Sequence, residues 1–247
     1  VPPVDFSKFI DVNIEALNND SVFSNFKRDS RYTQILEHVS LKFGNEYMMI
    51  IDNDNPELLN TNNINKYIEN DKIGNPIKFN FNCVNCSPTI WRYVKVVSDL
   101  IKLCGSLNNM HIVEIGAGNG GQANIISKIF TYDNYTIFDL PEVMALQKKC
   151  IGLMGTPSIN FSNIGLESKN YDIVISNYAF SECDDITKDM YIDNVLLKSS
   201  YGYITINRED ITPYKDILLN KLGSKNIEII TEFPLTAPDN YIIQWRP

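Results

Sequence analysis

The residues most able to do chemistry sit in one short run. HIVEIGAGNGGQA places glycines at 116, 118, 120 and 121, with Glu114 two positions ahead of the first. Glycines this dense allow backbone conformations closed to other residues and let a ligand approach the main chain. A second acid, Asp139, closes YTIFDLPEV, 25 residues beyond Glu114. A carboxylate there can accept hydrogen bonds from two ribose hydroxyls, or it can simply cap the helix that Pro141 opens. A third group, Ser176, Asn177, Tyr178, Ser181 and Glu182, follows the apolar run of YDIVISNYAFSECDD. For proton transfer the chain offers two histidines, His38 and His111.

The glycine spacing fits two cofactors. Gly116, Gly118 and Gly121 match the G-x-G-x-x-G of a dinucleotide site, where the helix N-terminus faces a pyrophosphate. Gly116, Gly118 and Gly120 match the G-x-G-x-G of S-adenosylmethionine enzymes, whose ligand carries an ammonium and a carboxylate instead. An acid immediately before the turn, Glu114, suits the second ligand, either by facing the ammonium or by ordering the loop. Asp139 supports a nucleoside in both cases.

The surrounding pattern tells how these residues must be positioned. From Ser87 onward, strands alternate with helices: a helix opened by Ser87-Pro88 and stopped at Gly105, then HIVEI, QANIISKIF, YTIFDL, PEVMALQKKCIGLM, INFSN, YDIVISN, DDITKDMYIDNVLLKS, GYITIN and a helix near 214–222. Such alternation predicts a parallel sheet covered on both faces. IEIITEF and YIIQW are separated by too short a loop for a parallel crossover, so they should pair antiparallel. The expected fold is α/β: a Rossmann-like, seven-stranded class I methyltransferase core over 87–247, its parallel sheet ending in an antiparallel strand. Residues 1–86 are expected to form a mainly helical N-terminal cap that binds the acceptor. Within it, RYTQILEHV reads as helical over 31–39, and a short helix is expected near 56–60 or 64–68.

Composition narrows the classes. A net charge of −8 and the absence of any dense Lys/Arg run weigh against a nucleic-acid partner. In particular, Asn177-Tyr178-Ala179-Phe180 lacks both prolines of the N-P-P-Y-type motif of base amino-methyltransferases. No apolar run is long enough for a membrane span. The five cysteines show no framework spacing, and the CVNC at 83–86 has no second half for zinc. Reduced cysteines in a cytoplasmic protein are the expectation.

The runs VEIGAGNGGQA, YTIFDLPEVMALQKK, YDIVISNYAFSE and GYITIN, with RYTQILEHV and SPTIWRYVKVVSDLI upstream, resemble the sugar O-methyltransferases, a branch of the class I S-adenosylmethionine-dependent enzymes. The resemblance spans about 31–247. It implies transfer of a methyl group to a hydroxyl of a sugar, nucleotide-sugar or sugar-like small molecule in glycan or polysaccharide biosynthesis. By the same resemblance Glu114, Gly116, Ala117, Gly118 and Gly120 form the methionine-side loop, with Gln122 opening the next helix. Asp139 and Leu140 flank ribose and adenine, Asn163 meets the adenine edge, and Asn177 and Tyr178 lie near the sulfonium. Thr89 and Arg92 lie on the preceding helix, with Arg92 positioned for the cofactor carboxylate.

A sugar hydroxyl is a poor nucleophile, so a base should take its proton as the new bond forms. His111 starts a strand at the far end of the sheet. His38, in the cap, is the first candidate, and Glu182, shielded by Tyr178 and Phe180, the second. Glu182, Asp184 and Asp185 are alternatively a Mg²⁺ site. Tyr32, Tyr47, Trp91 and Trp245 are candidate sugar-stacking rings. Two rival classes remain open from the residues alone: a non-catalytic S-adenosylmethionine-binding module and a nicotinamide-dependent oxidoreductase.

Overall fold

The computed structural model describes residues 6–162, 169–207, 212–223 and 225–247. Its N-terminal part is helical: α1 (Ser7–Asn18), α2 (Asp20–Phe23), α3 (Ser30–Thr33), α4 (Leu41–Asp54) and α5 (Thr61–Tyr67). A small hairpin follows, β1 (Phe79–Phe81) with β2 (Val84–Cys86). Then come α6 (Pro88–Cys104), β3 (His111–Ile115), α7 (Gly121–Ile129), β4 (Asn134–Phe138), α8 (Pro141–Met154), β5 (Asn160–Ser162) and β6 (Tyr171–Asn177). The chain closes with α9 (Ala179–Glu182), α10 (Asp185–Tyr191), β7 (Ser199–Ile206), α11 (Thr212–Leu222), β8 (Asn226–Thr231) and β9 (Tyr241–Arg246).

The large sheet has the order β5-β4-β3-β6-β7-β9-β8. Its strands are parallel except β9, which inserts antiparallel between β7 and β8. Strand order reverses between β3 and β6, which leaves a crevice beyond their carboxyl ends. The turn after β3 and the turn after β6 therefore face each other, and the glycine run and the Asn177–Tyr178 pair occupy those turns.

Alternation along β3 explains the two layers. Ile112 faces one core, with Phe9, Trp91, Ile125 and Leu146, while Val113 and Ile115 face the other, with Ile192, Ile204 and Trp245. The apolar stripe of α1, Phe9, Val12 and Ala16, is buried in the first of these cores, and α1 packs on α8. The N-terminal helices are thus continuous with the packing of α6, α7 and α8.

Several local expectations change. Helix over 31–39 stops at Thr33, and Glu37 adopts φ +56. The turn carries the Glu37 carboxylate to Lys27 Nζ, 3.3 Å away, with both side chains no more than 5% exposed. A buried ion pair tolerates no loss of one partner, so it outweighs helical periodicity here. Ile35, Leu36 and Val39 still pack on the core. Ser87 precedes Pro88 with extended geometry, but its hydroxyl donates to Asp71 Oδ1 at 2.7 Å instead of capping α6. The 83–86 stretch is half of a hairpin whose turn residues Asn82 and Cys83 have φ +44 and +74, the two positive angles a type I′ turn requires. The helix expected over DDITKDMYIDNVLLKS is α10 followed by a π turn, Ile192–Leu196. All five cysteines are free. Among the described residues, no helix is long and apolar enough to cross a membrane.

Candidate active site

The turn between β3 and α7 holds Gly116, Gly118 and Gly120 at φ +72, +58 and +82. Asn119 Oδ1 accepts from the Gly121 amide at 2.9 Å, closing the turn on itself. At Gly116 the missing side chain is essential: a Cβ there would lie 2.1 Å from Ala179 Cβ, so glycine lets the β3 and β6 turns touch. At Gly118 the same space is occupied by the end of Leu36, 2.8 Å from a hypothetical Cβ. The N-terminal segment therefore already leans on this turn.

Asp139 sits at the end of β4, beside the turn. Its Oδ1 accepts from the Leu140 amide at 2.8 Å and its Oδ2 from Gln147 Nε2 at 2.6 Å. Burial pushes its pKa up to about 6, opposed by those hydrogen bonds and by the Ala117 and Gly118 amides. Glu114 is fully buried and accepts from the Tyr135 hydroxyl at 2.6 Å. Burial raises its pKa to about 7. Around the same turn, Gln122 Oε1 and Gln147 Oε1 are buried with no hydrogen-bond partner among the described residues. Unpaired buried polar atoms are costly, and a polar ligand between the turn and Asp139 would satisfy them. Leu36 stands on one wall of this space, but its contact is the free end of a flexible side chain. The residues present fit a charged amino-acid ligand joined to a nucleoside.

The raised Glu114 and Asp139 pKa values predict a pH dependence of stability. Between roughly pH 4 and 7 the folded chain holds protons on these acids that the unfolded chain has released. Their contribution is therefore most favourable below the unfolded pKa values and is lost as pH rises to about 7. For Glu114 the swing is on the order of 3 kcal/mol. Urea denaturation at pH 5 and pH 8 should show the Glu114→Gln variant losing much less stability on that rise than the parent. An equal loss in both would show that Glu114 does not drive it.

Beyond β6 and β7 lies a second feature, a cavity of about 20 Å³ lined by Tyr47, Arg92, Lys95, Asn177, Tyr178 and Glu232 among others, with Phe233 at its edge. That volume holds about one water. Phe233 is 67% exposed, so it is the least packed wall. Tyr178 takes φ +72 at the sharp turn between β6 and α9. Ser176 Oγ holds this turn by accepting from the Phe180 amide at 3.1 Å, and Ser181 Oγ by donating to the Tyr178 carbonyl at 2.6 Å. The Tyr178 hydroxyl donates to Glu232 Oε1. Glu232 Oε2 accepts from the Thr236 amide at 3.1 Å, the Thr236 hydroxyl at 2.6 Å and Asn240 Nδ2 at 2.8 Å. Burial, then the Glu232 charge, holds the Tyr178 pKa well above that of a free tyrosine.

The other sequence candidates are dispersed. Asn177 lines the cavity with Tyr178. Gln122 is buried and donates from Nε2 to the Tyr93 carbonyl at 3.2 Å. Thr89 is buried in the first turn of α6, and Leu140 is exposed beside Asp139. Asn163 lies outside the described residues. His38 is exposed and is absent from the cavity wall. Desolvation of its ring, then the nearby Arg92 charge, depresses its pKa to about 4. Glu182 Oε1 accepts from Asn207 Nδ2 at 2.7 Å, and Asp184 caps α10 through the Thr187 amide at 2.9 Å. No cluster of three metal-ligating groups occurs among the described residues, which removes Glu182, Asp184 and Asp185 as a joint Mg²⁺ site. Of the four ring candidates only Tyr47 reaches the cavity. Tyr32 packs on Phe9 and Phe26, Trp91 on Phe81, and Trp245 fills the space left by Gly202.

Glu232 was not foreseen. It follows β8, whose carboxyl end shares the functional edge of the sheet because two successive antiparallel pairings make β8 run parallel to β7. An acid just after a strand is the available signal, and it carries meaning only once that direction is known.

No family model matches the chain, and no curated protein is similar to it in sequence. Its fold is found among solved structures. Magnesium protoporphyrin IX methyltransferase from Synechocystis PCC 6803, solved with bound S-adenosylmethionine, is similar over 82% of this chain and 97% of that one, with 13% identity and a TM-score of 0.50. The methyltransferase domain of bacterial CtHen1 is similar over 63% of this chain and 97% of its own, with 11% identity and a TM-score of 0.50. The chain has the Rossmann-like α/β fold of the class I methyltransferases.

Proposed function

We propose that this protein is an S-adenosylmethionine-dependent O-methyltransferase whose acceptor is a hydroxyl of a sugar or sugar-bearing small molecule. The observation that carries this reading is the meeting of two turns: the glycine turn that fits the cofactor touches, through Gly116 and Ala179, the turn that presents Tyr178 to a polar cavity. The antiparallel insertion of β9 also argues against the nicotinamide reading, whose fold has six strands in the order 3-2-1-4-5-6 without it.

In this reading Gly116, Ala117, Gly118, Gly120 and Gln122 hold the methionine part, Asp139 the ribose, and the exposed Leu140 side chain an apolar face of the adenine. Glu114 orders the turn from beneath through Tyr135. When bound, the cofactor supplies an electrophilic methyl carbon whose bond to sulfur breaks, the electron pair staying on sulfur, as the bond to the acceptor oxygen forms. Tyr178 and Asn177 orient the acceptor hydroxyl. The Tyr178 oxygen takes the hydroxyl proton while its own proton passes to Glu232, so the proton neutralises the carboxylate and Tyr178 ends as a neutral phenol. Positioning of this kind supplies much of the acceleration in a displacement. Residues 1–86 act as the cap, contributing Leu36 at the glycine turn and Tyr47 at the cavity.

Calorimetry with S-adenosylhomocysteine and with NAD tests the cofactor. Binding of the first and none of the second is expected; the reverse result would overturn the proposal. Labelled methyl transfer to a panel of sugars and nucleotide-sugars then tests the acceptor class.

A further inference from the structure

Arg92 is a cation in the cavity wall that no side chain engages by hydrogen bond or ion pair among the described residues, although the Glu232 carboxylate lines the same wall and Tyr93, Tyr178, Tyr47 and Glu37 favour its charged form. It is 8% exposed. Its guanidinium carbon lies 5.7 Å from the centre of the Tyr93 ring. Other charges nearby are committed. Lys95 Nζ lies 2.6 Å from Asp99 Oδ2, which also accepts from the Tyr203 hydroxyl at 2.6 Å. Glu37 is held by Lys27 at 3.3 Å, whereas Glu232 takes its hydrogen bonds from the neutral donors Tyr178, Thr236 and Asn240, so its negative charge remains in the wall without touching the guanidinium. Buried donors that meet no acceptor are costly, and a guanidinium is built to bind a carboxylate or phosphate through two parallel hydrogen bonds. None of the glycines of the 116–121 turn lines this cavity, so Arg92 faces the acceptor side.

We infer that the acceptor is anionic: it carries a carboxylate or phosphate that pairs with Arg92 and sets its reactive hydroxyl at Tyr178, and because the space as it stands holds about one water, the exposed Phe233 wall gives way as the acceptor enters. This rests on the methyltransferase reading and narrows its substrate. The same wall disfavours a neutral sugar, which leaves the guanidinium unpaired.

The test uses the full chain saturated with S-adenosylhomocysteine, with glucose 6-phosphate, glucuronate and methyl glucoside titrated by calorimetry. One of the two anions should bind at least about a hundredfold more tightly than methyl glucoside, the size expected for a desolvated charge pair; which one binds distinguishes phosphate from carboxylate. Arg92→Met should abolish that preference while leaving S-adenosylhomocysteine affinity unchanged, and Arg92→Lys should retain part of it. Equal affinity for all three compounds, or binding of none, overturns the inference. So does a loss of S-adenosylhomocysteine binding in Arg92→Met, which would assign the guanidinium to the cofactor carboxylate. Failure of the parent chain to bind S-adenosylhomocysteine at all instead defeats the methyltransferase reading itself.

Discussion

Gly116→Ala is expected to cost the protein several kcal/mol of stability and its cofactor site together. Two effects add. The residue sits at φ +72, where a side chain costs about 1–2 kcal/mol. The new methyl would also lie 2.1 Å from Ala179 Cβ, an overlap no rotamer can relieve, since neither carbon has a torsion to turn. Overpacking of that kind adds about 1–3 kcal/mol or more. Relief requires the β3 and β6 turns to separate, which moves the glycine turn away from Tyr178. Gly118→Ala is the internal comparison. Its φ of +58 carries a similar strain, but its clash is with Leu36 Cδ1, the end of a side chain that can rotate. Urea denaturation and S-adenosylhomocysteine calorimetry on both variants should place Gly116→Ala well below Gly118→Ala in stability and in affinity. Equal losses would mean that the contact between the two turns is not what holds the site.

The second large effect concerns Tyr178. Tyr178→Phe keeps the ring and deletes the oxygen through which a proton is proposed to reach Glu232. Turnover should fall by about 10²–10⁴-fold, the usual range for a lost acid–base group, while S-adenosylhomocysteine affinity stays within about twofold. Glu232 retains three donors from Thr236 and Asn240, so the fold is expected to tolerate the change. His38→Ala is the discriminating partner. His38 is exposed, with a pKa held near 4, so it is neutral at pH 7 but a weak base there. If His38→Ala abolishes turnover and Tyr178→Phe leaves it within threefold of the parent, the proton route runs through the imidazole and the Tyr178 assignment fails.

How much of this was readable beforehand depends on the range of the forces involved. Strand and helix alternation from Ser87 onward follows from apolar periodicity and local punctuation by proline and glycine, so the seven strands and the antiparallel pairing of β8 with β9 were legible from short windows. The glycine turn and Asp139 were legible for the same reason: each sits at the end of a strand that its own residues define. The 31–39 segment misled because its apolar spacing is helical, whereas the deciding interaction, the Lys27–Glu37 pair, lies outside that window. The hairpin at 79–86 was missed because Asn82 and Cys83 adopt positive φ without the glycine that usually marks such a turn.

What the amino-acid order determined by itself is the class of scaffold and the place where a nucleoside ligand fits, because both follow from neighbours within a dozen residues. The tertiary structure alone decided which side chains share the acceptor cavity. Tyr47, Arg92, Tyr178 and Glu232 come from four separate elements or their ends. They meet only because the sheet's strand order turns β6, β7 and β8 toward one edge and packs α4 and α6 across it. Charge placement in that cavity is likewise a property of the packed chain: among the described residues no acid touches the Arg92 guanidinium, because Glu37 pairs with Lys27 and Glu232 is held by Tyr178, Thr236 and Asn240.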